Sequence, residues 1–167
     1  AVPVQGYWRD VGTPADLLAC AADLLDRRAG PLPDLPERRP GVYSADPLPE
    51  QVDFVPPCWL GPDVQVGAGS LIGPHAVLTG GSRVGLRSLV QRSLVDGAVL
   101  GGRVTLYGAV LCPGARTGSY CVLNENSVVG PGAQLGDNVV LMEGDLVANL
   151  PMADIFAHHL RTHADIT

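Results

Sequence analysis

The segment Val64–Val90, VQVGAGSLIGPHAVLTGGSRVGLRSLV, repeats itself every six residues, and it lies within a longer stretch, Val52 to Val147, that keeps the same period. Large, mostly aliphatic residues recur at Phe54, Leu60, Val66, Ile72, Leu78, Val84 and Val90. The series continues through Val95, Leu100, Leu106, Leu111, Thr117, Leu123, Val129, Leu135 and Leu141. Three steps are five residues long (Val90 to Val95, Val95 to Leu100, Leu106 to Leu111), and the others are six. The residue two places earlier is small or β-branched, as at Cys58, Ser70, Ala76, Ser88, Ala109, Cys121 and Ala133, and it keeps step across every shortened unit. Residues two apart on a strand share a side, so each unit sends one large and one small side chain inward. Gly follows the large residue at Gly61, Gly67, Gly73, Gly85, Gly101, Gly118, Gly130 and Gly136, with Asp96 and Asn124 at two other units. These residue types tolerate positive φ, which predicts a sharp corner after each short strand. A strand and a corner repeated without helices cannot bury a face alone. The units must stack on copies of themselves as a solenoid.

Upstream, Ala1 to Gly30 lies outside the repeat. Val2 to Val11 predicts a short strand entering a turn at Gly12. Thr13 is a candidate N-cap, Pro14 takes the first helical position, and Asp16 falls three after the cap in a variant of the capping box. Leu17, Leu18, Ala21, Leu24 and Leu25 form one apolar face, and Gly30 is expected to close the helix. A helix this short is marginal alone, so that face must dock. Pro31 to Pro49 holds prolines at 31, 33, 36, 40, 47 and 49, which predicts an extended spacer and excludes a helix or central strand. Arg38 and Arg39 within it read as solvated charges. After Leu150, Pro151 breaks the pattern, and Met152 to Leu160 predicts a short helix with Ile155, Phe156 and Leu160 along one side. Such a helix suits the open end of a solenoid. The expected organisation is therefore a strand and helix over 1–30, a Pro-rich linker over 31–50, the solenoid over 51–150 and a C-terminal capping helix and tail over 151–167.

With 167 residues, few aromatics and many Gly and Pro, the composition suits one thin solenoid with an appended segment. The net charge of −6 has no compensating basic cluster, which argues against nucleic acid as a partner. No apolar run reaches the length of a membrane span and no signal peptide heads the chain, so the expectation is no membrane and a cytoplasmic location. Cys20, Cys58, Cys112 and Cys121 show no paired metal spacing. Cys58 and Cys121 fall in the small inward slot and read as buried hydrophobes. His75 is the only histidine of the solenoid, three places after Ile72, where side chains point outward. His159 and His163 stand four apart on the expected terminal helix but lack a third ligand. The outward arginines Arg83, Arg87, Arg92 and Arg103 fit either an oligomer contact or an anionic ligand.

The units Val66-Gly67-Ala68-Gly69-Ser70, Ile72-Gly73-Pro74-His75-Ala76, Val129-Gly130-Pro131-Gly132-Ala133 and Leu135-Gly136-Asp137-Asn138-Val139 resemble the hexapeptide repeat of left-handed parallel β-helices. The resemblance implies a mainly β fold with three units per coil, about five coils in a triangular prism, and a left hand that spacing alone does not fix. A second resemblance lies in Gly6-Tyr7-Trp8-Arg9-Asp10-Val11-Gly12-Thr13-Pro14 and the Leu-rich helix behind it. This run is similar to the end of the catalytic domain of sugar-1-phosphate nucleotidyltransferases, the NDP-sugar pyrophosphorylases that include mannose-1-phosphate guanylyltransferase-like enzymes. They make NDP-sugars and pyrophosphate from an NTP and a sugar 1-phosphate, and in many of them a linker leads from this helix into a left-handed β-helix.

The resemblance implies that Asp10 helps to hold the Mg²⁺ that bridges the phosphates, lowering charge repulsion as the leaving pyrophosphate forms. The competing reading of Asp10 is a carboxylate that satisfies backbone donors near the turn. Tyr7 and Trp8 read as packing residues. The family's Gly-rich, Arg-containing nucleotide loop and its second metal-binding Asp are absent from these residues. The expectation is thus the C-terminal β-helix part of a longer pyrophosphorylase, with no catalytic residue of its own, serving homo-oligomer assembly or regulation. The sugar and the nucleotide are chosen outside it. The alternatives are a hexapeptide-repeat acyltransferase that uses acyl-CoA with His75 as general base, and a non-catalytic scaffold or regulatory subunit.

Overall fold

The computed structural model describes residues 6–32, 34–142 and 146–147. After one helix, α1 (Pro14–Leu25), these residues form short strands gathered into three sheets that run the length of a prism. The first face stacks Val42–Ser44, Cys58–Leu60, Ala76–Leu78, Leu94–Val95, Val110–Leu111, Val128–Val129 and Leu146–Val147 in parallel. The second face holds Gln65–Val66, Arg83–Val84, Val99–Leu100, Arg116–Thr117 and Gln134–Leu135. The third holds Asp53–Phe54, Leu71–Ile72, Leu89–Gln91, Thr105–Tyr107, Val122–Leu123 and Val140–Leu141. Successive strands take successive faces, and each pairs with the strand one coil away.

The solenoid has about six coils, where the repeat predicts about five. The added coil comes from the Pro-rich segment read as a spacer. Val42–Ser44 runs parallel to Cys58–Leu60 and is buried at all three positions, while Glu37–Arg39 folds back on it antiparallel. The prolines do not prevent this because they flank the pairing residues, with Pro36 before the hairpin and Pro40 in its turn. The expected capping helix over 151–167, with His159 and His163, lies outside the described residues.

The core is the two inward series. Ile72, Leu78, Val90, Leu106, Leu111 and Leu123 are wholly buried, with Cys58, Ala76, Ala109, Ala115 and Cys121 between them. Burial pushes the Cys58 thiol up to about 12 and raises that of Cys121, consistent with their reading as inert hydrophobes. The inward serines Ser70, Ser82, Ser88 and Ser93 bond the backbone of neighbouring coils, as where Val104 N donates to Ser88 Oγ at 3.1 Å and Ala109 N to Ser93 Oγ at 3.0 Å, whereas the buried Ser127 Oγ has no partner among the described residues.

The corners differ from the sequence expectation. With the exception of Gly73, the glycines directly after the large residue do not have positive φ. The left-handed residue sits three places after it in six-residue steps (Asp63, Gly69, His75, Gly81, Arg87, Arg103, Tyr120, Asn126) and two places after it in five-residue steps (Arg92, Gly97, Gly108). The first glycine answers a different need, the close stacking of coils. A Cβ on Gly101 would lie 2.5 Å from the carbonyl group of Gly118 in the next coil.

Candidate functional site

The helix α1 lies against the prism, and the four ion pairs among the described residues all fall on Asp23 or Asp26 at its end, one of them, Asp26–His75, crossing to the prism. Its start follows the sequence reading: Thr13 Oγ1 accepts from Asp16 N at 3.2 Å, and Asp16 accepts from Thr13 N at 3.1 Å. Its end does not. The helix stops at Leu25, and Arg27 takes a left-handed conformation (φ 63°). Arg27 N then donates to Leu24 O and Arg28 N to Asp23 O, the paired bonds that close a helix before Gly30 is reached. The expected strand before the helix pairs with no sheet among the described residues, since 6–12 lies beside α1 and not at a free strand edge.

Two aspartates on α1 organise the junction, and the sequence reading missed both. Asp23 is buried, and its carboxylate accepts from Tyr7 Oη (2.8 Å), Arg9 (2.6 Å) and Arg28 (2.7 Å). These contacts pin residues 7–9 to the helix. The bond from Tyr7, and then that from Arg9, hold the Asp23 carboxyl below the usual carboxylate range. Asp26, the C-cap, meets His75 across the junction, with Oδ1 2.9 Å from Nε2, and also pairs with Arg28. The His75 bond is the main cause of a lowered Asp26 pKa. Arg27 adds a third tie, donating to Tyr43 Oη at 2.9 Å with its guanidinium 5.3 Å from the ring centre. The apolar face of the helix rests on the first face of the prism, where Ala21, Leu24, Leu25 and Leu32 surround a cavity of about 210 Å³ with Trp59 and Val77. Leu17, expected to dock, stays exposed at the far end.

Beside this contact runs a groove of about 620 Å³. One wall is the α1 face of Ala15, Leu18, Ala19 and Ala22, and the other is the corner between the third and first faces. The shortened steps make the groove. At this corner the steps out of Ile72 and Leu123 are six residues long, whereas those out of Val90 and Leu106 are five. Arg92 and Gly108 therefore form a recessed floor between the full corners at His75 and at Glu125–Asn126.

The sequence-predicted site residues do not converge. His75 sits at the groove, half-buried and engaged by Asp26. Asp10 is exposed on the segment before α1. Among the described residues no group of three or more His, Cys, Asp or Glu forms that could hold a metal. A hard divalent cation needs a shell of several oxygens, so these residues do not fit a complete Mg²⁺ site, and Asp10 offers at most one ligand to it. No helix of the described residues is long and apolar enough to cross a membrane.

The triangular coils and the six-residue period are those of a parallel β-helix of hexapeptide repeats, and the fold matches the left-handed β-helix. The chain is homologous to the C-terminal part of glucose-1-phosphate adenylyltransferases. It is 30% identical over 154 residues to the enzyme of Bacillus mycoides, covering 86% of this chain and 37% of that protein, and 31% identical over 141 residues to that of Bacillus cytotoxicus, covering 84% and 33%. The chain thus spans little more than a third of the length of these relatives. No family model matches the sequence. Solved structures with similar coils include a putative acetyltransferase of Bacillus cereus (TM-score 0.34, 16% identity, 69% of this chain and 84% of that one). Another is PerB of Caulobacter crescentus, solved in complex with CoA and GDP-perosamine (TM-score 0.32, 22% identity, 63% and 48%).

Proposed function

We propose that this chain is the C-terminal β-helix part of a sugar-1-phosphate nucleotidyltransferase and that its own work is assembly and regulation of the enzyme. One observation carries the reading: the similarity to adenylyltransferases covers 86% of the chain, more than the repeats alone occupy. Hexapeptide coils serve several enzyme classes, whereas a Gly-Tyr-Trp-x-Asp segment, a capped helix and then a prism is a more specific order. In this reading residues 1–30 close the catalytic domain; the Asp23 cluster holds the segment before α1 to the helix, and the Asp26–His75 and Arg27–Tyr43 pairs couple that domain to the prism. Asp10 contributes one carboxylate toward the Mg²⁺ of the parent enzyme, the rest of the shell coming from outside these residues. The parent acts in the cytoplasm on an NTP and a sugar 1-phosphate, as a homo-oligomer.

The test starts from the coding sequence upstream of the Ala1 codon and the full-length product it specifies. That product, supplied with Mg²⁺, ATP and glucose 1-phosphate, and then with GTP and mannose 1-phosphate, is expected to release pyrophosphate. Full transferase activity from these 167 residues alone would overturn the reading, as would a full-length product without a Gly-rich, Arg-containing nucleotide loop.

The acyl-transfer alternative has one observation in its favour, the carboxylate that holds the His75 imidazole at a groove. It requires acetyl transfer from acetyl-CoA that a His75→Ala variant loses. Acetyl-CoA that fails to bind at millimolar concentration disposes of it.

A further inference from the structure

The three faces of the prism show solvent different surfaces. The outward row of the second face is Gln65, Arg83, Val99, Arg116 and Gln134, polar at four of five positions. The outward row of the first face begins with Tyr43, Trp59 and Val77, over which α1 and Leu32 lie. The third face presents Asp53, Leu71, Leu89, Thr105, Val122 and Val140, each in register with the next. The described residues place no further helix or strand across it. Leu71, Leu89 and Val122 are half-buried only by their neighbours in the ladder, and Val140 is 58% exposed.

A parallel sheet is ordinarily covered on both sides, so an apolar outward row without a cover is unusual. Its margins strengthen the case. On one edge Arg103 donates to Tyr120 Oη at 2.7 Å with its guanidinium 5.2 Å from the ring centre, and on the other the Arg92 guanidinium lies 5.7 Å from the ring centre of Tyr107. Leu86, Tyr120 and Met142, all more than half exposed, extend the patch. A centre without charge, bordered by Tyr, Met and Arg, is the composition of a protein interface and not of solvated surface. The size also fits. Six strands about 4.8 Å apart span a footprint of roughly 25 by 15 Å, to which the exposed Leu86, Tyr120 and Met142 at the margins add, toward the ~800 Å² that each partner gives to a standard interface.

We propose that the third face is where a second copy of this chain docks, in a two-fold contact that buries Leu71, Leu89, Val122 and Val140 against the same row of the partner. Beyond Asp53 at its end the ladder carries no charge and is self-complementary, as an isologous contact requires, and a rigid prism has little order to lose on binding. This inference specifies the assembly role proposed above and rests on that role, but not on nucleotidyl transfer.

The test is the mass of the full-length protein by light scattering after gel filtration, for the natural sequence, for a Leu89→Glu, Val122→Glu double variant and for Val99→Glu on the second face. The outward positions leave the inward core intact, which circular dichroism checks. Expected is a two-fold fall in mass for the double variant and none for Val99→Glu; an unchanged mass for the double variant overturns the proposal. Should the double variant not fold, a Val122→Cys chain carries the test through peptide-mapped maleimide labelling. Protection that is lost on dilution supports the contact. Protection independent of concentration, which means cover from the same chain, overturns it, as does no protection at any concentration. Pyrophosphate release is followed on the same samples: its absence from all of them counts against the nucleotidyltransferase reading and leaves the mass result standing.

Discussion

Asp23 is a buried carboxylate with three donors on it, and its environment sets a pH dependence. Tyr7 and Arg9 depress its pKa, and His75 does the same to that of Asp26. A carboxyl that titrates lower folded than unfolded adds stability that is fully present above the unfolded value, about 3.9, and is lost as the pH falls through the folded value. Urea unfolding between about pH 6 and pH 2.5 should therefore show stability falling below about pH 4, with a shallower fall in Asp23→Asn. An identical slope in the variant would mean that the ionised cluster adds nothing. A residue can also be decided by what it lacks. Gly101 and Gly136 occupy the same place in their units, but a Cβ on Gly101 meets the Gly118 carbonyl at 2.5 Å while one on Gly136 meets nothing within 4 Å. Gly101→Ala should cost about 1–3 kcal/mol in thermal or chemical unfolding. Gly136→Ala should stay within about 0.5 kcal/mol of the natural sequence.

The helix α1 shows which parts of an element a sequence announces. Its start was legible because Thr13, Pro14 and Asp16 act within one turn, and Thr13→Ala should cost about 1 kcal/mol and fray that turn, seen as faster exchange of the Asp16 and Leu17 amides. Its end was not legible, because the left-handed position went to Arg27 while Gly30 offered a more obvious stop. Arg27 accepts the cost of that conformation while its side chain reaches Tyr43, a contact across 16 residues that no local pattern encodes. The same holds for Asp23. Its partners at Tyr7 and Arg9 meet it only after the segment folds back, although arginines on both sides of an aspartate in an apolar helix were a usable signal. Among the strands, the inward series predicted the faces and the core. The linker strand Val42–Ser44 is not legible in the proline density of its segment, because the prolines flank the pairing residues and leave them free to join the sheet. At the corners the glycine positions are legible but their task is not, since coil spacing is a property of the stack and not of the unit.

At the scale of the whole molecule, a solenoid couples each coil only to its neighbours, so stability is distributed along the axis and not shared equally. The two ends differ. At the amino-terminal end the Glu37–Arg39 hairpin covers the first coil, and α1 clamps that coil through Arg27–Tyr43 and a later one through Asp26–His75. Toward the other end the third-face strand Val140–Leu141 has one described neighbour, and Val140 and Met142 are exposed. Native-state hydrogen exchange should therefore be slowest for strands between Ala76–Leu78 and Val122–Leu123 and quicken toward Val140–Leu141. The clamp gives this gradient a local test. Asp26→Asn removes the charge opposite His75, and the lost tie should speed exchange roughly tenfold in Val42–Ser44, Cys58–Leu60 and Ala76–Leu78, which corresponds to about 1.4 kcal/mol of local opening. Amides at Val110–Leu111 and Val128–Val129, three or more coils from the first strand, should keep their rates. A uniform rise along the prism would show instead that the coils open as one unit, and a strain on α1 would then be felt over the entire third face. A rise confined to the first coils makes the junction a local hinge, across which the proposed upstream domain would shift without disturbing the proposed contact on the third face.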